Sequence, residues 1–356
     1  MSATVISSPD RLRVIFAKAK TPSIVLLQSA NHPDNFLPPA DNFDQVREGL
    51  GRMHRIAILL ATKDGERFLK EQLSSYARQT LNQWSLHVSD DGSSDATVHL
   101  VKRFAETQSR SVDLREGPRQ GFFRNFMSLA LDERIDADFY AFSDQDDIWN
   151  DDKLERAINW FKSISPDVPA VYFSRTELID ESGSHLGYSP LFERDPSFQN
   201  ALVQNIGGGN TMVFNSCARR LLIRCGSVAA VSHDWWTYQI VTAAGGKAHY
   251  DPVPSLKYRQ HSGNILGANA GLRARIVRLR MMLSGRITRW NTTNLEAFRS
   301  AEEIFSRENS ATLEAFSKAR KAIWPLRLMY LYKSGVYRQT LVDNVGLFLA
   351  VLLKRI

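Results

Sequence analysis

Three short apolar runs in the first half of the chain each break off into a cluster of acidic and small polar residues. The run Ile56-Ala57-Ile58-Leu59-Leu60 is continuous rather than alternating, the pattern of a strand buried on both faces, and it ends at Thr62-Lys63-Asp64-Gly65-Glu66. Residues 84–88 end at Ser89-Asp90-Asp91-Gly92-Ser93-Ser94-Asp95, and residues 135–142 at Ser143-Asp144-Gln145-Asp146-Asp147-Ile148-Trp149. Helical patterns follow each of them: 66–79, with Phe68, Leu69, Leu73 and Tyr76 on one stripe, then 96–105 and 151–161. Strands alternating with helices predict an α/β fold on a mostly parallel sheet with right-handed crossovers. Such sheets bind ligands outside the carboxyl ends of their strands, where all three polar clusters fall.

The third cluster crowds Asp144, Asp146 and Asp147 at the end of a buried strand, where carboxylates repel one another. A hard divalent cation or a set of backbone N–H donors settles such a group; a solvated acidic turn capping the next helix is the plainer alternative. No Gly-x-Gly-x-x-Gly follows the first strand, and no Gly-rich Lys loop occurs. The phosphates of a nucleotide would then be held by a cation on Asp144 and Asp146, helped by Arg119 or Arg124, residues that surface salt bridges explain equally well.

The rest of the chain narrows the class. With 356 residues, 43% hydrophobic and 23% charged, it fits one large α/β domain with appendages. The two cysteines, Cys217 and Cys225, have no partners at metal-ligand spacing, which argues against a disulfide framework or a zinc site. No secretory leader is expected, and no apolar run approaches the roughly 20 residues that span a bilayer, so a cytoplasmic protein is the expectation. Residues 1–52, with Pro9, Pro22, Pro33, Pro38 and Pro39, read as a poorly ordered extension in which 23–27 forms a short strand at most. The net charge of +7 is uneven: residues 271–356 hold 16 Lys and Arg against 6 Asp and Glu. Residues 270–282 and 295–323 carry apolar stripes with arginines between them. Beyond lie Trp324, Tyr330, Tyr332, Tyr337, an apolar stretch over 345–353 and Lys354-Arg355. Basic residues with aromatics among leucines fit a helix lying in an anionic membrane interface better than a nucleic-acid groove; a helical cap or a dimer contact is the alternative. The expected division is an extension over 1–52, a catalytic domain over 53–268 and a basic amphipathic helical region over 269–356.

The three strand-end clusters, taken in order, resemble the family 2 glycosyltransferases, and within them the bacterial rhamnosyltransferase-like branch of lipopolysaccharide and capsule synthesis. Later segments match as well: Gly207-Gly208-Gly209-Asn210-Thr211-Met212, Ser232-His233-Asp234-Trp235-Trp236 and Tyr258-Arg259-Gln260-His261-Ser262-Gly263-Asn264. The resemblance runs over 55–265; one departure is Lys63-Asp64, where the family commonly shows Tyr-Asn. It implies the GT-A nucleotide-diphospho-sugar transferase fold, a Rossmann-like mixed, mostly parallel sheet with helices on both faces. By the same resemblance, Thr62, Glu66, Asp90, Asp91, Arg124 and Asp144 would bind the donor nucleotide. Asp146, with Asp144 and His261, would hold Mg²⁺ or Mn²⁺, oxygen-rich ligation suited to hard ions. Asp234 would be the base that takes the acceptor hydroxyl's proton, giving inversion at the anomeric carbon. Gly208, Asn210, Trp235 and Trp236 would line the acceptor or sugar site, with helix capping and plain core packing as the alternatives for 232–236.

The expected activity is therefore a metal-dependent, inverting transfer of a sugar, L-rhamnose from dTDP-rhamnose first, onto a lipopolysaccharide core, O-antigen or related lipid-linked glycan. The expected place is the inner face of the cytoplasmic membrane. A nucleotidyltransferase acting on sugar phosphates would also use a strand-end metal but needs a loop for a triphosphate. A catalytically inactive glycan- or lipid-binding relic would have lost its base, whereas Asp144, Asp146 and Asp234 are all present.

Overall fold

The sheet is built from strands whose side chains have no water to face. In the computed structural model, which describes residues 54–261 and 284–356, β1 (Ile56–Thr62) is central, and Ile56 to Leu60 are at most 1% exposed. It is followed by α1 (Glu66–Ala77), β2 (Trp84–Asp90), α2 (Thr97–Thr107), β3 (Val112–Glu116), α3 (Phe122–Ala130) and β4 (Phe139–Ser143). These four strands run parallel, with Thr62 opposite Asp90, Asp90 opposite Glu116 and Leu60 opposite Ser143. The register therefore brings the three polar clusters to one edge of the sheet.

The chain continues through β5 (Ile148–Trp149), α4 (Lys153–Phe161), β6 (Ala170–Ser174), β7 (Glu177–Ile179), β8 (His185–Tyr188) and α5 (Phe198–Ala201). Next come β9 (Val213–Asn215), α6 (Ser216–Cys225), α7 (His233–Ala243), β10 (Lys247–Asp251) and β11 (Leu256–Arg259). The main sheet has the order β10-β6-β9-β4-β1-β2-β3, and only β9 runs against its neighbours. That reversal has a use. The lead-in to an antiparallel strand lies where its neighbours end, so the glycine-rich segment before Val213 enters the edge that carries Asp144. A second sheet, β5-β11-β7-β8, pairs Trp149 with Leu256 and so carries Arg259 and His261 back to Asp146 and Asp147.

One apolar cluster, with Leu69, Tyr76, Val101, Trp149 and Leu154, packs α1, α2 and α4 on one face. The other, with Phe126, Phe142, Phe214, Leu222 and Trp236, packs α3, α6 and α7 on the opposite face. The mixed, mostly parallel sheet covered on both sides is the architecture expected, with a helical region after it.

That region comprises α8 (Arg286–Ala297), α9 (Arg307–Lys321), α10 (Leu326–Ser334) and α11 (Leu341–Leu352). The stripe expected over 295–323 is not one helix. Phe298 turns into the core, and Ser306 caps a new helix by accepting from the Asn309 N–H. The Asn309 amide donates to the carbonyls of Thr242 and Ala243 at 2.9 and 3.1 Å, closing the end of α7. The break lets both segments dock on the body. The strand considered at 23–27 and the stripe over 270–282 lie outside the described residues. Among those residues, no helix is long and apolar enough to cross a membrane. Cys217 and Cys225 are free thiols.

Candidate active site

The ends of β1 and β2 form a tightly bonded pair of loops. Asp90, 8% exposed, accepts from the Thr62 hydroxyl at 2.9 Å, the Ser93 hydroxyl at 2.5 Å and the backbone N–H of Ser93 at 2.8 Å. Asp91 accepts from the N–H groups of Arg119 and Gly121 at 2.6 and 2.8 Å, pinning the loop before α3. Glu66 accepts from the Ala96 N–H at 2.8 Å, and Asp95 accepts from the Glu66 N–H at 3.0 Å, so two helix starts cap each other. Burial raises Asp95, yet the hydroxyl of Thr97 and the N–H groups of Glu66 and Thr97 hold it below the usual carboxylate range. The Arg124 guanidinium reaches the Ser227 hydroxyl. The residues expected to bind a nucleotide thus shape the loops that would receive it.

The end of β4 is different. Asp144 sits well above the ordinary carboxylate pKa because burial and the charges of Asp146 and Asp234 all disfavour its ionised form. Asp147, fully buried, is raised by burial and by the charges of Asp146 and Asp144, although it accepts from the Asn210 amide at 2.6 Å and the Arg259 N–H at 3.3 Å. Asp146 Oδ2 lies 2.7 Å from His261 Nε2, both side chains retaining some exposure. Gln145, between the acids, pairs its side-chain amide with the main chain of Lys63: Oε1 accepts from the Lys63 N–H and Nε2 donates to its carbonyl, both at 2.9 Å. A Cβ on Gly65 would come within 2.3 Å of Gln145 Oε1, so this pairing depends on glycine there.

Asp234 is in the first turn of α7, where the helix N-terminus favours a negative charge. Its Oδ2 accepts from the Asn205 amide at 3.0 Å and the Gly209 N–H at 3.1 Å, and its Oδ1 from the Trp235 N–H at 2.7 Å. The turn that supplies Gly209 is a close-packing device: a Cβ on Gly207 would lie 2.4 Å from the Phe173 ring, and one on Gly209 would lie 2.2 Å from His233 Nε2. Asn210 is 5% exposed, and its amide and carbonyl join Asp147 and Lys153 beneath the turn, with Gly208 beside it. The tryptophans face inward. Trp236 is fully buried against Phe298, with ring centroids 5.5 Å apart, and Trp235, 7% exposed, donates to the Ala201 carbonyl at 2.7 Å. A sugar-facing wall at Trp236 is therefore ruled out by burial, and the core reading holds for it.

Asp144 and Asp146, Asp234 and His261 thus come from three separate segments to one strand-end cleft. A model of the family "Glycosyl transferase family 2" matches residues 57–224. The dTDP-rhamnosyl transferase RfbG of Shigella flexneri is 30% identical over 235 residues, covering 62% of this chain and 78% of that protein. The chain belongs to glycosyltransferase family 2. The UDP-Glc:alpha-D-GlcNAc-diphosphoundecaprenol beta-1,3-glucosyltransferase WfgD of Escherichia coli is 31% identical over 104 residues, 29% of this chain and 40% of that one. Among solved structures, S. aureus TarS 1–349 in complex with UDP-GlcNAc has a TM-score of 0.48 and 14% identity, over 79% of this chain and 81% of that one, too loose a match to add to the argument.

In this glycosyltransferase, the donor set fits a divalent cation as a partial shell. Among the described residues no three metal-ligating side chains are gathered as a ready-made site. The Asp146–His261 pair offers two ligating atoms, and the burial and repulsion that disfavour an ionised Asp144 are what a cation there would offset. Diphosphate oxygens and water would complete such a shell.

Sequence reasoning missed the layer that supports the glycosyltransferase site. Lys153 is fully buried, donates to the Asn210 carbonyl at 3.0 Å and lies 4.6 Å over the Trp149 ring. Burial pulls its pKa down to about 7, with Asp147 opposing. Its signal was present: Lys153 shares the stripe of Leu154, Ala157, Ile158 and Phe161, where a cation is out of place unless paired. Arg259, 1% exposed, reaches the carbonyls of Asp146 and Glu181 and the Glu71 carboxylate. His233 stacks on Phe126 at 3.8 Å, and neither ring nitrogen finds a partner among the described residues; burial lowers its pKa to about 4.

Proposed function

We propose that the chain is a divalent-metal-dependent, inverting glycosyltransferase that uses a nucleoside-diphosphate sugar, dTDP-rhamnose first among donors, to extend a lipid-linked or lipopolysaccharide glycan at the inner face of the cytoplasmic membrane. The observation that carries the reading is the convergence of Asp144, Asp146 and Asp234 in one cleft, at loops that Asp90 and Asp91 hold in shape. In this reading, residues 53–268 are the catalytic part and 269–356 a helical, membrane-facing part. Asp146 and His261, with Asp144, would hold Mg²⁺ or Mn²⁺, which when bound neutralises charge on the leaving diphosphate. The chain's own residues do the rest. The loops at Thr62, Glu66 and Asp90–Asp91 orient the nucleotide. Asp234, fixed by Asn205 and Gly209, takes the proton from the attacking hydroxyl of the acceptor. A single base and direct displacement invert the anomeric centre. Donor preference is supported by the dTDP-rhamnosyl transferase of Shigella flexneri.

Calorimetric titration with dTDP, UDP and GDP, each with and without Mg²⁺, tests this. Metal-dependent binding that favours dTDP is expected. Preference for UDP or GDP would replace the sugar and keep the chemistry, and binding of none of them would overturn the reading.

A further inference from the structure

The helical hairpin formed by α10 and α11 presents an apolar face that the body leaves uncovered. Of the seventeen large hydrophobic side chains exposed among the described residues, twelve fall between Ile323 and Leu353. On α11, Leu341, Val342, Val345, Phe348, Leu349 and Leu352 are exposed and recur at the spacing of one helical face, while Leu347, Ala350 and Val351 point into the core. A helix apolar on both sides calls for an apolar phase on both sides. Its 12 residues give a rod of about 18 Å, too short for a hydrocarbon core of about 30 Å, so it lies along a bilayer rather than through one.

We propose that this face docks at the headgroup boundary of an anionic lipid membrane. Charge chooses the occupant. Residues 321–356 hold six Lys and Arg against one acid, Asp343, which already accepts from the Thr340 hydroxyl at 2.8 Å. Lys333, Lys354 and Arg355 are exposed on the same hairpin, with Trp324 63% and Tyr332 89% exposed as amphipathic aromatics. A second copy of the chain would set this positive surface against itself, whereas anionic headgroups complement it.

The hairpin is also tied to the side of the site that holds the base. Its turn bonds to 194–204: the Gln339 N–H donates to Gln204 Oε1 at 2.8 Å, Gln339 Nε2 to the Arg194 carbonyl at 2.9 Å and the Asn200 amide to the Tyr337 carbonyl at 3.0 Å. The Arg194 guanidinium lies 3.8 Å over the Tyr337 ring. The same segment runs on to Asn205 and Gly209, the partners of Asp234. Docking would hold the acceptor side at the lipid surface, a purpose that rests on the transferase reading, although docking itself does not.

The test is co-sedimentation of the full chain with vesicles of phosphatidylcholine alone or mixed with phosphatidylglycerol, at low and high salt. We expect at least tenfold stronger partitioning onto the anionic vesicles, weakened by salt. The double substitution Phe348→Glu/Leu349→Glu should lower it by roughly tenfold or more, and Lys354→Glu/Arg355→Glu by a similar factor with loss of salt sensitivity. Tyr188→Glu, an exposed aromatic on β8 outside the hairpin, should change nothing. Equal binding to both vesicle types, or unchanged binding by both double variants, overturns the proposal. So does a concentration-dependent dimer that Phe348→Glu/Leu349→Glu abolishes, which would give the face to a second copy. Nucleotide titration of each variant keeps the two readings apart. Vesicle binding without nucleotide binding sinks the transferase reading alone, and the converse sinks docking alone.

Discussion

The acids at the end of β2 and those at the end of β4 are the same residue types at equivalent places in one sheet, yet their surroundings are opposite. Asp90, Asp91 and Asp95 are surrounded by N–H and O–H donors from their own and neighbouring loops. Asp144 and Asp147 face chiefly burial and neighbouring carboxylates, Asp146 foremost. The first group completes its hydrogen bonding within the chain and makes a rigid rim. The second resists ionisation within the chain, so its carboxylates are the ones a cation would stabilise.

The comparison breaks most sharply at Asp234. Replacing it with Asn keeps its shape, so donor binding should stay within about twofold while transfer falls roughly a thousandfold; equal loss in the calorimeter and the transfer assay would remove its role as base. Next in size, Lys153→Met should lower unfolding free energy by about 3 kcal/mol in denaturant titration, because Asp147 loses its neighbouring cation. Adding Asp147→Asn should restore part of that loss, and failure to do so would show that Lys153 acts by packing alone. On the ligand side, Asp146→Ala should remove only the Mg²⁺-dependent part of nucleotide binding, about 30-fold. On the rim, Asp91→Ala should cost about 1–2 kcal/mol of stability and weaken nucleotide binding equally with and without Mg²⁺. If the two variants behaved alike toward the metal, the contrast would be false.

The smallest effect concerns His233. Its folded pKa of about 4 lies below the unfolded value near 6.5, so the unfolded chain binds the extra proton first and stability is lost as pH falls through that window. Between pH 7.5 and 5.5 the loss should be about 1 kcal/mol relative to His233→Leu, which has nothing to titrate there. Parallel stability curves for the two proteins would show that the ring is hydrated.

Much of this architecture is legible in the sequence. The continuous run from Ile56 to Leu60 marked a central strand because both of its faces meet helices. Ser89–Asp95 and Ser143–Asp147 marked the binding edge because nothing buried tolerates so many polar groups without a partner. What was hidden is of two kinds. Strands of two to four residues such as β5 and β9 carry too little periodicity to show their direction, and β9's reversal decides where Gly207–Gly209 goes. Residues such as Gln145, Lys153 and Arg259 take their meaning from partners 82, 57 and 188 residues away. The clustered acids are visible in the sequence, but local sequence does not show that donors surround those after β2 while other acids surround those after β4.

Those long spans have a consequence for the order in which the protein is made. The turn after β1 leaves the ribosome early, but its amide pairing waits for Gln145, Asp146 waits a further 115 residues for His261, and Glu71 meets Arg259 only then. A nascent chain that stops short of His261 can hold every acid of the first three clusters and still lack a finished cleft.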